Sequence, residues 1–145
     1  MRQPPRRSDA RLFDAALLWR GGLQGGGLLL AVLAGHQLAT VWSAEAEMGR
    51  TVAFAVLVLG NLGLIQANLA WSRQGARGGG TNRAFRWMVA GTLGLLAVSL
   101  GVSEVAALFR FAQPTPLLLG VSGVLALVAW AWFTWVGARL ADRRN

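Results

Sequence analysis

The stretch GRTVAFAVLVLGNLGLIQANLAW, residues 49–71, decides how the chain is read. From Thr51 to Trp71 it carries no charge, and its apolar residues do not alternate with the period of two that a strand would need. A helix needs about 20 apolar residues to cross the hydrocarbon core of a bilayer, and this segment has that length. Yet Asn61, Gln66 and Asn68 lie inside it. Amides survive in such a helix where they hydrogen-bond across helix contacts or line an ion path.

Three further segments have the same character: Gly22–Trp42, Trp87–Phe109 and Pro116–Ala138. Short polar links separate the four: SAEAEMGR (43–50), SRQGARGGGTNRAFR (72–86) and RFAQPT (110–115). The pattern predicts an all-α fold, a bundle of four transmembrane helices. A cytoplasmic segment (residues 1–21) precedes it and a short tail (139–145) follows. Composition agrees. The 145 residues are 54% hydrophobic and only 14% charged, whereas soluble domains come nearer a quarter charged. The glycine-rich part of the 72–86 link is a flexible loop. It lacks the Gly-Lys-Ser/Thr ending of a phosphate cradle, and no strand precedes it.

The formal charge is +8, and every one of the 14 basic residues is arginine. Nucleic-acid binding would need those arginines on a soluble face among stacking aromatics; here they flank apolar runs. Arg2, Arg6, Arg7, Arg11 and Arg20 precede the first span. Arg73, Arg77, Arg83 and Arg86 lie between the second and third, and Arg139, Arg143 and Arg144 follow the fourth. Only Arg50 and Arg110 fall on the other side. The positive-inside rule therefore places both termini and the 72–86 loop in the cytoplasm, most simply of a bacterial cell membrane. Trp42, Trp71 and Trp87 at span ends suit the interface, and Trp130, Trp132 and Trp135 read as belt anchors near the cytoplasmic end of the last span. A cleaved signal peptide is the competing reading of the N-terminus. The apolar run is long for that role, and LFDAALLWR (12–20) before it is amphipathic, with Leu12, Phe13, Ala16 and Leu17 available to one face at the membrane surface.

With no cysteine a thiolate metal centre is excluded, a metal site rarely rests on a single histidine such as His36, and no cofactor is expected. Glu104 is the one carboxylate inside a predicted span, a functional candidate by default. It stands five residues before Phe109 at the span's outer end, about 7–8 Å of helix rise, close enough to reach the interface. His36 and Gln37 lie near the outer end of the first span, where solvation is cheap. Gly21, Gly22, Gly25 and Gly26 give two overlapping GxxxG spacings, and Gly60 and Gly63 flank Asn61. Small residues at such spacing let helix backbones approach closely. Gly21, Gly25, Gly60, Gly63 and Asn68 are thus the expected packing positions, within the bundle or against a second subunit.

The chain also resembles a known family in the order of its motifs. Met1-Arg2-Gln3-Pro4-Pro5-Arg6 with Leu12-Phe13 looks like the cytoplasmic loop before the seventh membrane helix of P-type cation-transporting ATPases. Leu17, Leu18, Gly21, Gln24 and Gly25 match the start of that helix. Arg50-Thr51-Val52-Ala53-Phe54 with Leu57-Val58-Leu59 is similar to the eighth, and Leu108-Phe109 followed by Pro116-Leu117 to the turn into the tenth. The resemblance implies the last four helices of a pump, whose actuator, phosphorylation and nucleotide-binding domains and first six helices would precede residue 1. It puts Asn61 where calcium-pumping relatives carry an ion-binding glutamate, so Asn61 is a candidate ion-pathway position. A neutral amide ligates a cation through oxygen but brings no charge, and the partner carboxylates belong to helices outside this sequence. Cross-helix hydrogen bonding is the competing role for Asn61.

The resemblance also implies a non-catalytic accessory or fragment of a cation pump. Its partners would be the lipid bilayer and either the preceding part of such a pump or a second copy of the chain. None of Asp9, Asp14 and Asp142 opens an Asp-Lys-Thr-Gly phosphorylation motif, and the sequence has no lysine for a phosphate loop. The alternative readings are an independent small oligomeric transporter or channel built on Asn61, Glu104 and His36, or a membrane anchor for a partner.

Overall fold

A computed structural model of the chain describes residues 15–74 and 83–142. The first fourteen residues, the middle of the glycine-rich loop and the last three residues of the basic tail lie outside them. The start of the amphipathic segment at Leu12 and Phe13 does too. Five helices follow in order: α1 (Ala15–Ser43), α2 (Ala46–Gln74), α3 (Arg83–Gly101), α4 (Ser103–Leu108) and α5 (Pro116–Asp142). No strand occurs among the described residues. Four of the helices are long and apolar enough to cross a bilayer, over Leu18–Ser43, Ala46–Ala70, Arg83–Gly101 and Pro116–Arg139. Large apolar side chains such as Leu30, Leu95, Leu127 and Val128 point outward. Helices that are apolar on every side belong in lipid, and the protein is an integral membrane protein.

The helix ends have local causes. Ser43 closes α1 by donating its hydroxyl to Ala39 O (2.7 Å), and its Oγ then accepts from the Glu45 backbone N–H (3.2 Å). Ala44 between them takes a positive φ of 57°, so the expected eight-residue link shrinks to a tight turn and α2 starts at Ala46. At the α4–α5 connection, Arg110 N–H donates to Ala107 O (3.1 Å) and Phe111 N–H to Ala106 O (2.8 Å). That pair of bonds is a Schellman ending, with Arg110 in the left-handed position (φ 52°) where glycine is usual. Pro116, whose missing N–H costs nothing at a first helical position, opens α5. Thr115 caps it, its Oγ1 accepting from Leu118 N–H (3.4 Å).

One predicted span is divided. The 87–109 segment reads in sequence as a continuous helix, but α3 ends at Gly101, and Val102 is extended (φ −93°, ψ 116°) before the short α4. Gly101, β-branched Val102 and Ser103 are three successive residues of poor helix propensity, and the break falls on them. The first helix differs in the opposite sense. From Ala15 on, the described part of the amphipathic segment continues into the span without a boundary, and α1 runs unbroken to Ser43.

α1, α2 and α5 pack on one another, whereas α3 touches α2 and α4. The core is accordingly a three-helix seam. Ala39, Met48, Val52, Val56 and Leu118 fill the end beside the α1–α2 turn, and Leu28, Ala67, Ala129 and Phe133 the other end. Phe133 is wholly buried.

Candidate functional site

Close approach within the seam depends on glycine. A Cβ on Gly60 would collide with the Leu28 side chain, and one on Gly63 would meet Trp130 at 3.2 Å. Gly27 lies under the Trp132 indole, and Gly35 sits between Val52, Val56 and Leu125. Gly49 of α2 covers His36 and Thr40 of α1. By contrast, a methyl group placed on Gly21, Gly22, Gly25 or Gly26 would have no described atom within 4 Å. Gly21 and Gly25 thus have no described partner, and Gly22 and Gly26 border an open groove that α1 shares with Leu125, Val128, Ala129 and Trp132 of α5.

Among the three amides of α2, only Asn68 makes a cross-helix bond among the described residues. Its Oδ1 accepts from Arg20 Nη2 of α1 at 2.8 Å. Arg20 is buried to 7% exposure, and Gly137 of α5 lies against the same guanidinium, a methyl there coming within 3.7 Å of Nη2. This contact joins all three core helices at one end. A small cavity of about 150 Å³ adjoins it, lined by Arg20, Ala67, Ala70, Phe133, Thr134, Gly137 and Ala138. Asn61 and Gln66 are exposed. Gln66 lines a cleft between α2, α3 and α5, and Asn61 faces out of the described bundle.

The remaining polar positions separate. Glu104 stands on α4, past the end of the long apolar helix α3; it is exposed and accepts from Ser103 Oγ at 3.1 Å. Glu104 is thus separated from α3 by the break at Val102. His36 is half-buried, and its carbonyl accepts from Thr40 Oγ1 at 2.8 Å; Gln37 is exposed. Asn61, Glu104 and His36 stand on α2, α4 and α1, and no group of three or more His, Cys, Asp or Glu side chains converges among the described residues.

Two residues gain a structural role that the sequence does not assign. Arg20 counts there only towards topology, and Gln24 only towards the family motif. In the fold Gln24 is 3% exposed and donates from Nε2 to Phe133 O at 3.3 Å. Arg20, Gln24 and Leu28 recur every four residues, and all are buried; that one-sided spacing is the available signal. The tryptophans of α5 also act as packing groups. Trp132 Nε1 donates to Leu23 O at 3.0 Å, stacks on Trp135 at 5.3 Å and roofs Gly27, while the Arg139 guanidinium lies 5.1 Å over Trp135.

The segment matched to the eighth-helix signature has a mechanical task as well. Arg50 Nη2 donates to Arg110 O at 3.5 Å, and the fully buried Thr51 places its hydroxyl 3.2 Å from Ala112 O. Phe54 meets Phe111 with ring centroids 5.0 Å apart. These contacts strap the α4–α5 connection onto the start of α2. Four apolar helices, an Arg-Thr start that grips the following connection, and a Pro-Leu opening of the last helix thus stand in one order. The family model for the cation transporting ATPase C-terminus matches residues 1–138, which takes in α1 to α4 and all but the last four residues of α5. The chain belongs to that family. No curated protein and no solved structure gives a significant match. The cation transporting ATPase C-terminus is a membrane region associated with ion transport, and this chain's four long apolar helices fit that assignment.

Proposed function

We propose that the chain is a non-catalytic, structural part of a cation pump, bracing helices that it does not itself contain. The observation that carries this reading is the family match over residues 1–138. The small-residue face of α1 supports it: Gly21, Gly22, Gly25 and Gly26 have the spacing of a close helix contact, and a methyl on any of them would have no described atom within 4 Å. Asn61, directed outward from α2, would then face another subunit's helices. In that setting its carbonyl is a neutral ion-pathway ligand or a hydrogen-bonding group across the contact, and Gly60 and Gly63 hold α2 against α1 and α5 behind it. Arginine distribution supports an orientation with both termini and the 72–86 loop in the cytoplasm. The Ser43–Glu45 turn and the 109–115 connection would lie outside.

The test is co-expression with a P-type ATPase core that ends after its sixth membrane helix. The expected result is cation-stimulated ATP hydrolysis from the purified pair and none above a no-protein blank from this chain alone. Hydrolysis that tracks the purified chain would overturn the non-catalytic reading. Cation flux through liposomes holding only this chain would replace the accessory role with an oligomeric pore.

A further inference from the structure

The cleft between α3 and the three-helix seam has the two halves of a lipid site. It encloses about 560 Å³ and is lined almost wholly by apolar groups, among them Leu62 on α2, Phe85, Val89 and Leu93 on α3, and Leu127 and Trp130 on α5. From Phe85 to Leu93 it follows α3 for about 12 Å. A cleft that long and apolar, open at depth to the bilayer, fills with hydrocarbon and not with water. Arg83 and Arg86 stand at the start of the same helix, both exposed, and frame a second recess with Trp87 and Ala90. On a helical wheel Arg86 falls about 20° beyond Leu93, at the edge of the cleft face, and Arg83 about 60° further round, so Arg86 is the guanidinium nearest the apolar cleft. Trp87, at 69% exposure, lies one residue further round, an indole placed as interfacial tryptophans are.

We infer that this cleft binds one anionic phospholipid, with its phosphate on Arg83 and Arg86 and an acyl chain lying between α3, α2 and α5. Charge complementarity sets the headgroup class, since arginines clustered at the end of a span attract anionic lipids. Arginine presents paired N–H donors that match phosphate oxygens. The acyl chain supplies the contact with α5 that α3 does not make directly, so the lipid becomes part of the packing of the fourth span. The inference needs only the membrane placement of the helices and is independent of the pump reading.

The experiment uses the full chain in phosphatidylcholine vesicles doped with phosphatidylglycerol that bears a photoreactive group on its acyl chain. Crosslinks are expected on the cleft segments 59–66, 85–93 and 123–130 and not on the outward face of α1. Unlabelled phosphatidylglycerol should compete, while phosphatidylcholine and millimolar inorganic phosphate should not. Arg83→Gln/Arg86→Gln should lower the preference for the anionic lipid by about 30-fold, two basic contacts each acting at the membrane surface. Leu127→Trp should block the crosslinks by filling the cleft while leaving the arginines intact. Retained helical circular dichroism checks that both variants fold. Crosslinks spread evenly over every lipid-facing helix, or an unchanged preference in the double arginine variant, would mean annular lipid only and overturn the site. Displacement by inorganic phosphate would overturn it in favour of a soluble anion on the arginines.

Discussion

Gly25→Ala and Gly27→Ala make the same chemical change two residues apart on one helix, and the packing predicts opposite results. A methyl on Gly27 overlaps Cδ1 and Nε1 of Trp132 and lies 3.4 Å from its Cγ. The indole is a rigid plane, its Nε1 is committed to Leu23 O, and Trp135 stacks on it. Relief requires the ring to turn, which breaks that bond, or α1 and α5 to separate. Overpacking of this kind costs about 1–3 kcal/mol, and loss of the indole bond adds about 0.5–1.5 kcal/mol. Better helix propensity of alanine returns up to about 1 kcal/mol. Gly27→Ala should therefore destabilise by about 1–3 kcal/mol. Gly25 has no described atom in reach, so only the propensity remains, and Gly25→Ala should be neutral or stabilising by up to about 1 kcal/mol. Titration of the protein in mixed micelles with dodecyl sulfate, followed by far-ultraviolet circular dichroism, reads both midpoints. In a Trp132→Leu background the cost of Gly27→Ala should largely vanish, a coupling that the double-mutant cycle isolates. Equal shifts from the two glycines, or an undiminished cost once Trp132 is truncated, would refute the α1–α5 register.

Two other outcomes follow from the same contacts and from the arginine distribution. Asn68→Ala removes the acceptor on Arg20 Nη2 and should cost about 0.6–2 kcal/mol in the same titration, with Arg20→Gln costing less in that background than alone. Cysteines placed singly at Ser43 and Ser72 should label with an impermeant reagent from opposite sides of the membrane, and labelling from one side would sink the four-span orientation.

Much of the fold is legible in the sequence because hydrocarbon leaves few options. Uninterrupted apolar runs must be helices there, since every backbone group has to be satisfied within its own segment. The four long helices correspond to the four runs read from sequence. What is not legible is decided by contacts at a distance. The division at Val102 is carried by three weak helix formers in a row, a signal masked by the apolar character of Leu100, Val102 and Val105 around it. Asn68 and Asn61 look equivalent in the sequence, yet one meets an arginine from α1 and the other faces outward. Arg20 reads as a charge for topology, and only the fold reveals that it turns into the seam and ties α1 to α2.

The glycines carry the same lesson further. Those that receive a partner are Gly27, Gly35, Gly49, Gly60 and Gly63 on α1 and α2 and Gly137 on α5, and all meet side chains from α1, α2 or α5. On α3, Gly91, Gly94 and Gly101 meet nothing among the described residues, nor do Gly120 and Gly123 of α5. Polar bonds follow the same division: Arg20 to Asn68, Gln24 to Phe133 and Trp132 to Leu23 all cross between α1, α2 and α5. Glycine spacing alone is thus a poor guide to a contact, because GxxxG occurs on α1 where no described atom lies within 4 Å of an added methyl. A small residue marks a close approach only where a large one comes to meet it. By that criterion α1, α2 and α5 form one braced unit, tied by polar bonds at one end and by the strap of Arg50, Thr51 and Phe54 at the other. α3 stands beside it, joined through α2, through its own connections and through whatever fills the cleft.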